Sequence, residues 1–372
     1  MKKIINDLKS KSYNLFYEAI SQQVFPGAVM GVAVGKGAGR QRLLDGHGRT
    51  SYSLGKAVNS NTVYDLASLT KPLATTLSVL CLFQEGAITL GHRLVDIFGP
   101  AVTADKADIT IANLLGHSSG MTSHRPFFVE LAKEKKNSRR ERLFRMIMAE
   151  PLEYRAGERA VYSDLGFMLL GMVVEAVSGR ELTTFFQKNV VGPLGLEREV
   201  FFQPPFCRAR DRERYAVMEE CPFRNTTVWG EVSDENAWAL GGVAGHAGLF
   251  GTITGVLELC VHLLDQWQGR EEHPSYRSTD LCRILQRQGI PGSTWALGFD
   301  TPSPSGSSGG KYLSPASVGH LGFTGTSFWI DPSRDLVMVL LSNRVHPSRE
   351  NDRIKQFRPR FHDLVIESLG LA

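Results

Sequence analysis

The sequence predicts an α+β fold in which an antiparallel sheet is flanked by helices and a mainly helical domain is inserted. Strand patterns occur near both ends of the chain, and helical spacing dominates its middle. The 372 residues are 42% hydrophobic, enough to bury a sizeable core. Strands from both ends can share one sheet. We therefore expect a sheet domain from residues 1–66 and 245–372, with a helical domain from residues 67–244 inserted in it.

The first 66 residues are predicted to form a helix followed by strands. Apolar residues recur at helical spacing over residues 2–22, and Pro26-Gly27 ends that pattern. The valine-rich residues 28–34 predict a strand, and a second pair of strands is predicted within residues 42–56. This part of the chain is expected to supply one half of the sheet.

A helical pattern begins at Ser68, where apolar residues recur at three- and four-residue steps up to Gly86. Residues 200–235 contain prolines and mixed charge and predict an extended loop region. Further helices are predicted over residues 111–115, 139–149, 166–178, 254–267 and 353–369. Further strands are predicted over residues 295–299, 319–330 and 336–341, the last two joined by an antiparallel turn at Asp331-Pro332-Ser333.

Composition argues against several classes of function. The net charge is only +4, from 42 basic and 38 acidic residues, and gives no support to nucleic-acid binding, which needs a concentrated basic stripe. No set of histidines and acids has metal-ligand spacing, so we predict neither a metal nor a cofactor. The cysteines are odd in number and widely spaced, which predicts free thiols in a reducing compartment. They are Cys81, Cys207, Cys221, Cys260 and Cys282.

The N-terminal residues do not fit a signal peptide. Lys2 and Lys3 resemble its charged start, but the apolar run after them ends at Asn6. The apolar residues 24–34 are few and include Pro26, which predicts a strand rather than a membrane span. We expect a cytoplasmic protein with no membrane span.

Two S-x-x-K matches are candidate nucleophile motifs: Ser53 with Lys56, and Ser68 with Lys71. The motif needs a helix, because only there do residues three apart share a face and bring the lysine amine to the serine oxygen. The first match contains Gly55 and lies in a predicted strand and turn, so we discard it. The second opens a helix, whose positive end favours a Ser68 alkoxide.

A third candidate nucleophile is Ser118, in the segment Gly116-His117-Ser118-Ser119-Gly120. This segment matches the G-x-S-x-G elbow, which needs a buried strand before it and a helix after it. Here a short helix is predicted before the segment and none after it. We interpret the segment as a structural turn, with His117 as a turn-forming residue.

Tyr162-Ser163-Asp164 lies at a break before a predicted helix. In an extended segment residues i and i+2 point the same way, so Tyr162 and Asp164 can both face a cleft. A tyrosine beside a cation loses its proton more easily and can then act as a general base. The alternative is a helix start with Ser163 or Asp164 as its N-cap.

His320-Leu321-Gly322-Phe323 falls on a predicted strand. Glycine there would let a substrate backbone approach the strand edge, and the N–H after Gly322 can pair with that of Ser68 as an oxyanion hole. A lone strand histidine is more often structural than catalytic. The run Asp234-Glu235-Asn236 and His246 either line the cleft or cap loops, and the sequence leaves both open.

The order of these motifs resembles one family. Ser68-x-x-Lys71, Tyr162-x-Asp164 and His320-x-Gly322 follow the S-x-x-K, Y-x-N and K-T-G order of serine β-lactamases and penicillin-binding proteins. Residues 64–71, 109–121 and 245–252 are similar to the class C β-lactamase-related family, which includes D-alanyl-D-alanine carboxypeptidases and esterases. The resemblance covers roughly residues 25–345. It implies a β-lactamase/transpeptidase-like fold.

The resemblance also implies a role for each matching residue. Ser68 would attack a carbonyl and become acylated, while Lys71 and Tyr162 relay its proton and Tyr162 activates the deacylating water. The backbone amides of Ser68 and Phe323 would hold the oxyanion. His320 would lie near the substrate, close to Tyr162.

Three departures from the family pattern weaken the case for an efficient β-lactamase. Asp164 replaces asparagine, and an ionised carboxylate cannot donate to a substrate amide, although it can pair with Lys71. His320 replaces lysine and is expected to be only partly charged near neutral pH. Leu321 replaces a hydroxyl residue that could bind a substrate carboxylate.

The predicted function is hydrolysis of an ester or amide through an acyl-enzyme on Ser68. We expect a small-molecule or short-peptide substrate, with small acyl esters first, D-alanyl peptides second and β-lactams third. D-alanyl-D-alanine carboxypeptidase and β-lactamase activities on the same site are therefore alternatives. A non-catalytic ligand-binding protein on this fold is a further alternative, against which the intact Ser68, Lys71 and Tyr162 set argues. The sequence does not indicate the oligomeric state.

Overall fold

The computed structural model describes residues 2–53, 55–202 and 212–372. Its strands are β1 (Gly27–Val34), β2 (Gln41–Gly48), β3 (Tyr64–Asp65), β4 (Val200–Phe202), β5 (Val217–Cys221), β6 (Thr226–Trp229), β7 (Leu249–Gly251), β8 (Val318–Leu321), β9 (Ser327–Asp331) and β10 (Leu336–Ser342). Its α-helices are α1 (Lys2–Ser21), α2 (Leu77–Gln84), α3 (Leu94–Phe98), α4 (Ile111–Leu115), α5 (Phe128–Leu131), α6 (Arg139–Ala149), α7 (Asp164–Ser178), α8 (Leu182–Phe186), α9 (Glu235–Ala239), α10 (Ile253–Trp267), α11 (Ser278–Ile284) and α12 (Ile354–Ser368).

The central sheet has five antiparallel strands in the order β2-β1-β10-β9-β8. Val32 of β1 faces Met338 of β10 on one side and Leu43 of β2 on the other. Strands from both ends of the chain therefore meet in one sheet, and the predicted α+β fold class is confirmed. The division of the chain at residues 66/67 and 244/245 stays a prediction.

Helices cover both faces of the sheet. Helix α10 packs on β1, β9 and β10, whereas α1 and α12 pack against each other on the opposite face. Because alternate strand residues point to opposite faces, Val29 and Val339 join the core under α10, while Met30 and Met338 join the core under α1 and α12. Each such fully buried side chain contributes roughly 1.5–3 kcal/mol. This explains why β1 and β10 are apolar at almost every position.

The predicted helices are confirmed, with ends that differ by no more than two residues for α1, α4, α6, α7, α10 and α12. The helix predicted to begin at Ser68 has three parts. It starts as a 3-10 turn at Ala67–Leu69, widens to a π-helix at Lys71–Thr76 and continues as α2.

Two strand predictions at the C-terminal part are wrong in extent. Residues 295–299 are not a strand, because Gly298 adopts a φ of +84° and the Ala296 N–H donates to Phe299 O (2.9 Å) across a tight turn. The predicted strand over residues 319–330 is two strands, β8 and β9, separated by a turn in which Gly325 has a φ of +110°.

Two predictions nearer the middle and the start of the chain are also wrong. Among the described residues of the range 42–56, β2 is the only strand and no strand pair forms, because Gly48 (φ +76°) ends it. Residues 200–235 are not one extended loop: β4 joins a small sheet with β3 and β7, and β5 pairs with β6. The turn-forming Pro222 lies between β5 and β6, and residues 203–211 lie outside the described ranges.

Four cysteines, Cys81, Cys221, Cys260 and Cys282, are free thiols, and Cys207 lies outside the described residues. Within the described ranges, no helix combines the length and the apolar character that crossing a membrane requires.

Candidate active site

A cleft of about 870 Å³ opens beside the edge of β8. It brings together residues that are far apart in the sequence. Lys71 is fully buried and lies directly behind Ser68. The other six residues predicted for the site all line the cleft: Ser68, Tyr162, Asp164, His320, Gly322 and Phe323. Their catalytic and binding roles stay predictions at this point.

Ser68 lies in the tight turn between β3 and the π-helix. Ala67, just before it, has a φ of +49°, unusual for a residue with a side chain. The buried Asp65 carboxylate accepts the Ala67 N–H (2.8 Å), and the Thr70 hydroxyl donates to Ala67 O (2.6 Å). These bonds hold the strained turn and place the Ser68 hydroxyl at the cleft surface.

Lys71 is surrounded by acceptors. Its Nζ donates to Ser68 Oγ (3.0 Å), Asp164 Oδ1 (2.8 Å) and the carbonyl of His246 (3.2 Å), and an ammonium has three N–H donors. Burial acts to lower the pKa of Lys71, but the Asp164 carboxylate and the Tyr162 hydroxyl outweigh it and the pKa is raised. Lys71 is therefore an ammonium in the resting site.

Tyr162 lies just before α7, and its hydroxyl hydrogen-bonds with Ser68 and lies beside Lys71. Its ring centroid is 4.7 Å from Lys71 Nζ. Burial raises the pKa of Tyr162, and the nearby Lys71 charge only partly offsets this. The neighbouring Lys71 lowers the pKa of Tyr162 as expected, but desolvation is the larger effect and the pKa is raised overall. Tyr162 is a neutral phenol at rest.

Asp164 is the first residue of α7, and Ser163 is its N-cap. The cap and the cleft-facing arrangement therefore coexist. One Asp164 oxygen pairs with Lys71 (2.8 Å), and the other lies 3.3 Å from Nδ1 of the exposed His124. Burial alone would raise the pKa of Asp164, but Lys71 and His124 hold it well below its usual range. We call Lys71, Tyr162, Asp164 and His124 the proton-handling side of the cleft.

The segment around Ser118 has a structural role. It follows the short helix α4 rather than a strand, and Ser118 Oγ accepts a hydrogen bond from Asn113 (3.3 Å). His117 adopts a φ of +54°; its carbonyl accepts the Val161 N–H (2.8 Å) and its Nδ1 accepts the Ser163 N–H (3.1 Å). Burial holds the pKa of His117 well below its ordinary value, so the ring is neutral and can accept. The loop thus fixes the backbone on both sides of Tyr162.

His320 on β8 faces the proton-handling side. Its ring centroid is 6.0 Å from that of Tyr162, and its Nδ1 lies 2.8 Å from Leu321 O. Burial, with Lys71 adding a smaller effect, lowers the pKa of His320 to about 3. The expectation of a partly charged histidine near neutral pH is therefore wrong. The ring is neutral because it is shielded from water and faces a cation.

The turn after β8 directly contacts residues 65–68, which we call the nucleophile segment. Thr324 Oγ1 donates to Asp65 O (2.8 Å), and Thr326 Oγ1 donates to Leu66 O (3.1 Å). A Cβ on Gly322 would collide with the Thr326 hydroxyl and lie 2.7 Å from Leu66 O, so only glycine fits there. The amides of Ser68 and Phe323, the predicted oxyanion donors, therefore lie on two segments that are hydrogen-bonded to each other. We call β8, residues 322–326 and the two buried arginines beside them, Arg344 and Arg358, the strand side.

Sequence reasoning missed several residues of the cleft. Trp295 stacks on Tyr162 with ring centroids 5.4 Å apart, and it was assigned to a strand that does not form. His124 carried no pattern that pointed to Asp164. Arg344 and Arg358 line the strand side and are 7% and 6% exposed. In the sequence, Arg358 is one charged residue within an amphipathic helical pattern, and that pattern alone does not predict that it reaches the cleft.

Asp234 combines both roles that the sequence left open. Asp234 caps α9 by accepting the Ala237 N–H (2.7 Å), and it lines the cleft. Its carboxylate lies 2.9 Å from Nε2 of the buried His246. Burial acts to raise the pKa of Asp234, but His246 outweighs it and the pKa is lowered. Among the described residues, no group of three or more histidine, cysteine or acidic side chains could hold a metal ion.

The chain matches the family model described as Beta-lactamase over residues 14–358. Two similar curated proteins carry the name "Putative D-alanyl-D-alanine carboxypeptidase". The protein from Salmonella paratyphi A is 30% identical over 315 residues, covering 79% of this chain and 72% of that protein. The protein from Escherichia coli K12 is 31% identical over 309 residues, covering 77% and 70%.

Solved structures share the fold. EstCE1, described as a hydrolase with promiscuous acyltransferase activity, superposes with a TM-score of 0.75 at 19% identity, covering 97% of this chain and 99% of its own. A class C beta lactamase superposes with a TM-score of 0.75 at 16% identity, covering 98% of each chain. At these identities the likeness extends to the fold alone.

Proposed function

The chain belongs to the beta-lactamase family of serine hydrolases, and we propose that it hydrolyses a small ester or amide through an acyl-enzyme on Ser68. The observation that carries this proposal is the hydrogen-bonded set of Ser68, Lys71 and Tyr162 at the wall of the cleft. A nucleophile within reach of two proton carriers is the arrangement that covalent acyl transfer requires.

Acylation follows from this geometry. Ser68 Oγ bonds to the substrate carbonyl carbon while its proton passes to the Lys71–Tyr162 pair. The amides of Ser68 and Phe323 stabilise the oxyanion. The pair then returns the proton to the departing alcohol or amine as its bond to the carbonyl carbon breaks. In deacylation Tyr162 takes a proton from water, the hydroxide attacks the acyl carbon, and Ser68 leaves with the proton.

The resting protonation states make the reactive form a minority at neutral pH. Lys71 is held as an ammonium and Tyr162 as a phenol, because their pKa values are both raised. One proton must leave this pair before it can accept the Ser68 proton. We therefore expect kcat/KM to rise with pH over a range set by the pair.

Small acyl esters are the substrates that this cleft supports best. His320 is neutral and Leu321 has no hydroxyl, so neither offers a donor or charge of the kind the family pattern places there for a substrate carboxylate. An uncharged ester loses nothing by their absence. The nearby Trp295 adds an aromatic surface against Tyr162 on which an acyl chain can lie.

D-alanyl-D-alanine carboxypeptidase activity is the second candidate. The observation that favours it is the name of the curated relatives, which are 30–31% identical over more than two thirds of both chains. β-Lactam hydrolysis ranks third, because Asp164 and Leu321 both depart from the residues usual in that family pattern.

The test is hydrolysis of p-nitrophenyl acetate and butyrate, of nitrocefin and of a D-alanyl-D-alanine peptide by the wild type and by Ser68→Ala. We expect ester turnover to dominate and to fall about 10³- to 10⁶-fold in Ser68→Ala. Ser118→Ala is the matched control, since Ser118 belongs to the rival motif, and it should keep near wild-type rates. Equal ester rates in wild type and Ser68→Ala, or loss in Ser118→Ala alone, would overturn the assignment.

A cytoplasmic location is also proposed rather than established. The four described free cysteines, of which Cys81 and Cys260 are buried in the core, are consistent with a reducing compartment. Fractionation of the native host with an antibody to the protein tests this, and recovery in an extracytoplasmic fraction would contradict it.

A further inference from the structure

Arg358 holds the peptide group that carries the strand-side oxyanion donor. It lies one turn into α12, and its Nη2 donates to Gly322 O (2.6 Å) and to Thr326 O (2.7 Å). Gly322 O and the Phe323 N–H belong to the same peptide unit. The arginine is therefore bonded to one end of the group whose other end is the proposed oxyanion donor.

The charge of Arg358 has no direct counter-ion. The side chain is 6% exposed, and in the described part of the chain its guanidinium makes no ion pair. Burial, together with the neighbouring Arg344, lowers the pKa of Arg358 to about 9, which still leaves it charged at neutral pH. A buried cation without a carboxylate partner is unfavourable for folding. Its position against the turn calls for a functional explanation.

We propose that Arg358 is a positioning residue that polarises the Gly322–Phe323 peptide and so strengthens the Phe323 N–H as a donor to the oxyanion. A charge-assisted hydrogen bond to a carbonyl oxygen draws electron density through the peptide and makes its N–H a better donor. The guanidinium charge also lies behind the donor, where it stabilises negative charge in front of it. This inference rests on the proposed function, since it needs an oxyanion between Ser68 and Phe323.

Simple bracing of the turn does not account for these contacts. The turn is already fixed by the Gly322 N–H bond to Thr326 O (2.8 Å) and by the hydroxyls of Thr324 and Thr326, which donate to the nucleophile segment. Arg358 adds a charge at the peptide whose N–H is needed. Its removal should therefore weaken binding of an oxyanion more than binding of a substrate.

The experiment compares wild type, Arg358→Gln, Arg358→Lys and Arg360→Gln in the full chain. Arg360 is the matched control, because it lies on the same helix but is exposed and pairs with Glu18 (2.8 Å). Two quantities are measured: kcat and KM for p-nitrophenyl butyrate, and Ki for propyl trifluoromethyl ketone. Addition of Ser68 Oγ to this ketone forms a carbon–oxygen bond and an oxyanion, while the Ser68 proton passes to the Lys71–Tyr162 pair.

For Arg358→Gln we expect kcat to fall about 10- to 100-fold with KM changed less than about two-fold, because weakening an oxyanion donor costs less than removing one. Ki should rise by the factor by which kcat/KM falls, since both report binding of the oxyanion. Arg358→Lys keeps the charge and should recover part of the loss. Arg360→Gln should match wild type.

A wild-type kcat in Arg358→Gln, or a fall in kcat/KM with an unchanged Ki, would overturn the inference. If Arg358→Gln does not fold, Arg358→Met, which also removes the charge, decides: a matched change in kcat/KM and Ki supports the inference, and wild-type values or an unmatched change overturn it. Failure of the proposed function gives a different result. In that case the wild type itself forms no ketone adduct on Ser68, as read by 19F NMR against Ser68→Ala.

Discussion

The two sides of the cleft treat electric charge in opposite ways. On the proton-handling side the Asp164 carboxylate lies between two basic side chains, 2.8 Å from Lys71 Nζ and 3.3 Å from His124 Nδ1. On the strand side, the guanidinium groups of Arg344 and Arg358 donate only to backbone carbonyls among the described residues, at 2.6–2.7 Å. On the proton-handling side the charged groups pair with one another. On the strand side, Arg344 and Arg358 make no ion pair among the described residues.

This difference separates two tasks that a hydrolase must perform together. Under the proposed mechanism, the paired charges keep Lys71 and Tyr162 protonated at rest, so that Ser68 reacts only after a proton leaves. Unpaired cations behind backbone amides favour the negative charge that forms on the substrate oxygen. The same Lys71 that is stabilised by Asp164 lowers the proton affinity of His320 across the cleft.

The largest expected effect is a difference between two histidine pKa values: that of His124 should lie more than about three units above that of His320. Asp164, with Asp234 and Glu235, raises the pKa of His124 above 6.5. Burial, with Lys71 and Arg358, lowers the pKa of His320 to about 3, and Asp164 only partly offsets this. Histidine ring resonances followed by NMR should show His124 titrating above pH 6.5 and His320 constant from pH 8 to pH 4.

His124→Gln and His320→Gln assign the two resonances, because each removes one signal. Titration of both rings near pH 6.5 would remove the contrast between the two sides. It would mean that water reaches His320 and that Asp164 does not hold His124.

Asp164→Asn is expected to move the rising limb of kcat/KM to lower pH by about one unit. The carboxylate raises the pKa of both Lys71 and Tyr162. Its loss therefore lowers both, whichever of them accepts the Ser68 proton, and the reactive form appears at lower pH. The measurement is the pH profile of p-nitrophenyl butyrate hydrolysis.

The matched control for this change is Asp105→Asn. Asp105 also pairs with a buried lysine, Lys106 (2.6 Å), but neither residue lines the cleft. Its profile should coincide with that of the wild type. A limb that stays in place or moves to higher pH in Asp164→Asn would show that this carboxylate does not set the resting protonation state.

The smallest expected effect concerns the hydrogen bond between Thr324 of the strand side and Asp65 of the nucleophile segment. Thr324→Val removes the hydroxyl that donates to Asp65 O (2.8 Å) and should lower the free energy of unfolding by about 1 kcal/mol, with a several-fold fall in kcat. Thr227→Val, at an exposed position on β6, controls for the change of side chain. Urea unfolding and kcat are measured on both. A loss of stability without any loss of kcat would mean that the turn keeps its geometry without this bond.

Local pattern was sufficient for some parts of the molecule. The spacing of Ser68 and Lys71 predicts that the two side chains share one face of a helix. In the structure Lys71 Nζ donates to Ser68 Oγ (3.0 Å). Strands β1 and β10 could be predicted from short apolar runs because both of their faces are buried. The helices came from apolar periodicity, which survives in the structure because it faces the core.

The rest depended on contacts between distant segments. Trp295 reaches Tyr162 through a turn at Gly298, and a run of apolar residues gives no sign of that turn. The neutral states of His320 and Tyr162 come from burial by parts of the chain that are remote in sequence. The position of Arg358 depends on how α12 docks against the turn after β8, which helical periodicity alone does not specify.

The order of strands in the sheet also determines when the sheet can be completed during synthesis of the chain. Strand β1 (Gly27–Val34) is hydrogen-bonded to β2 on one edge and to β10 (Leu336–Ser342) on the other. About 300 residues separate the two, so at 5–20 residues per second β1 waits roughly 15–60 s on the ribosome for its second partner. During that interval an apolar strand edge is open to other chains.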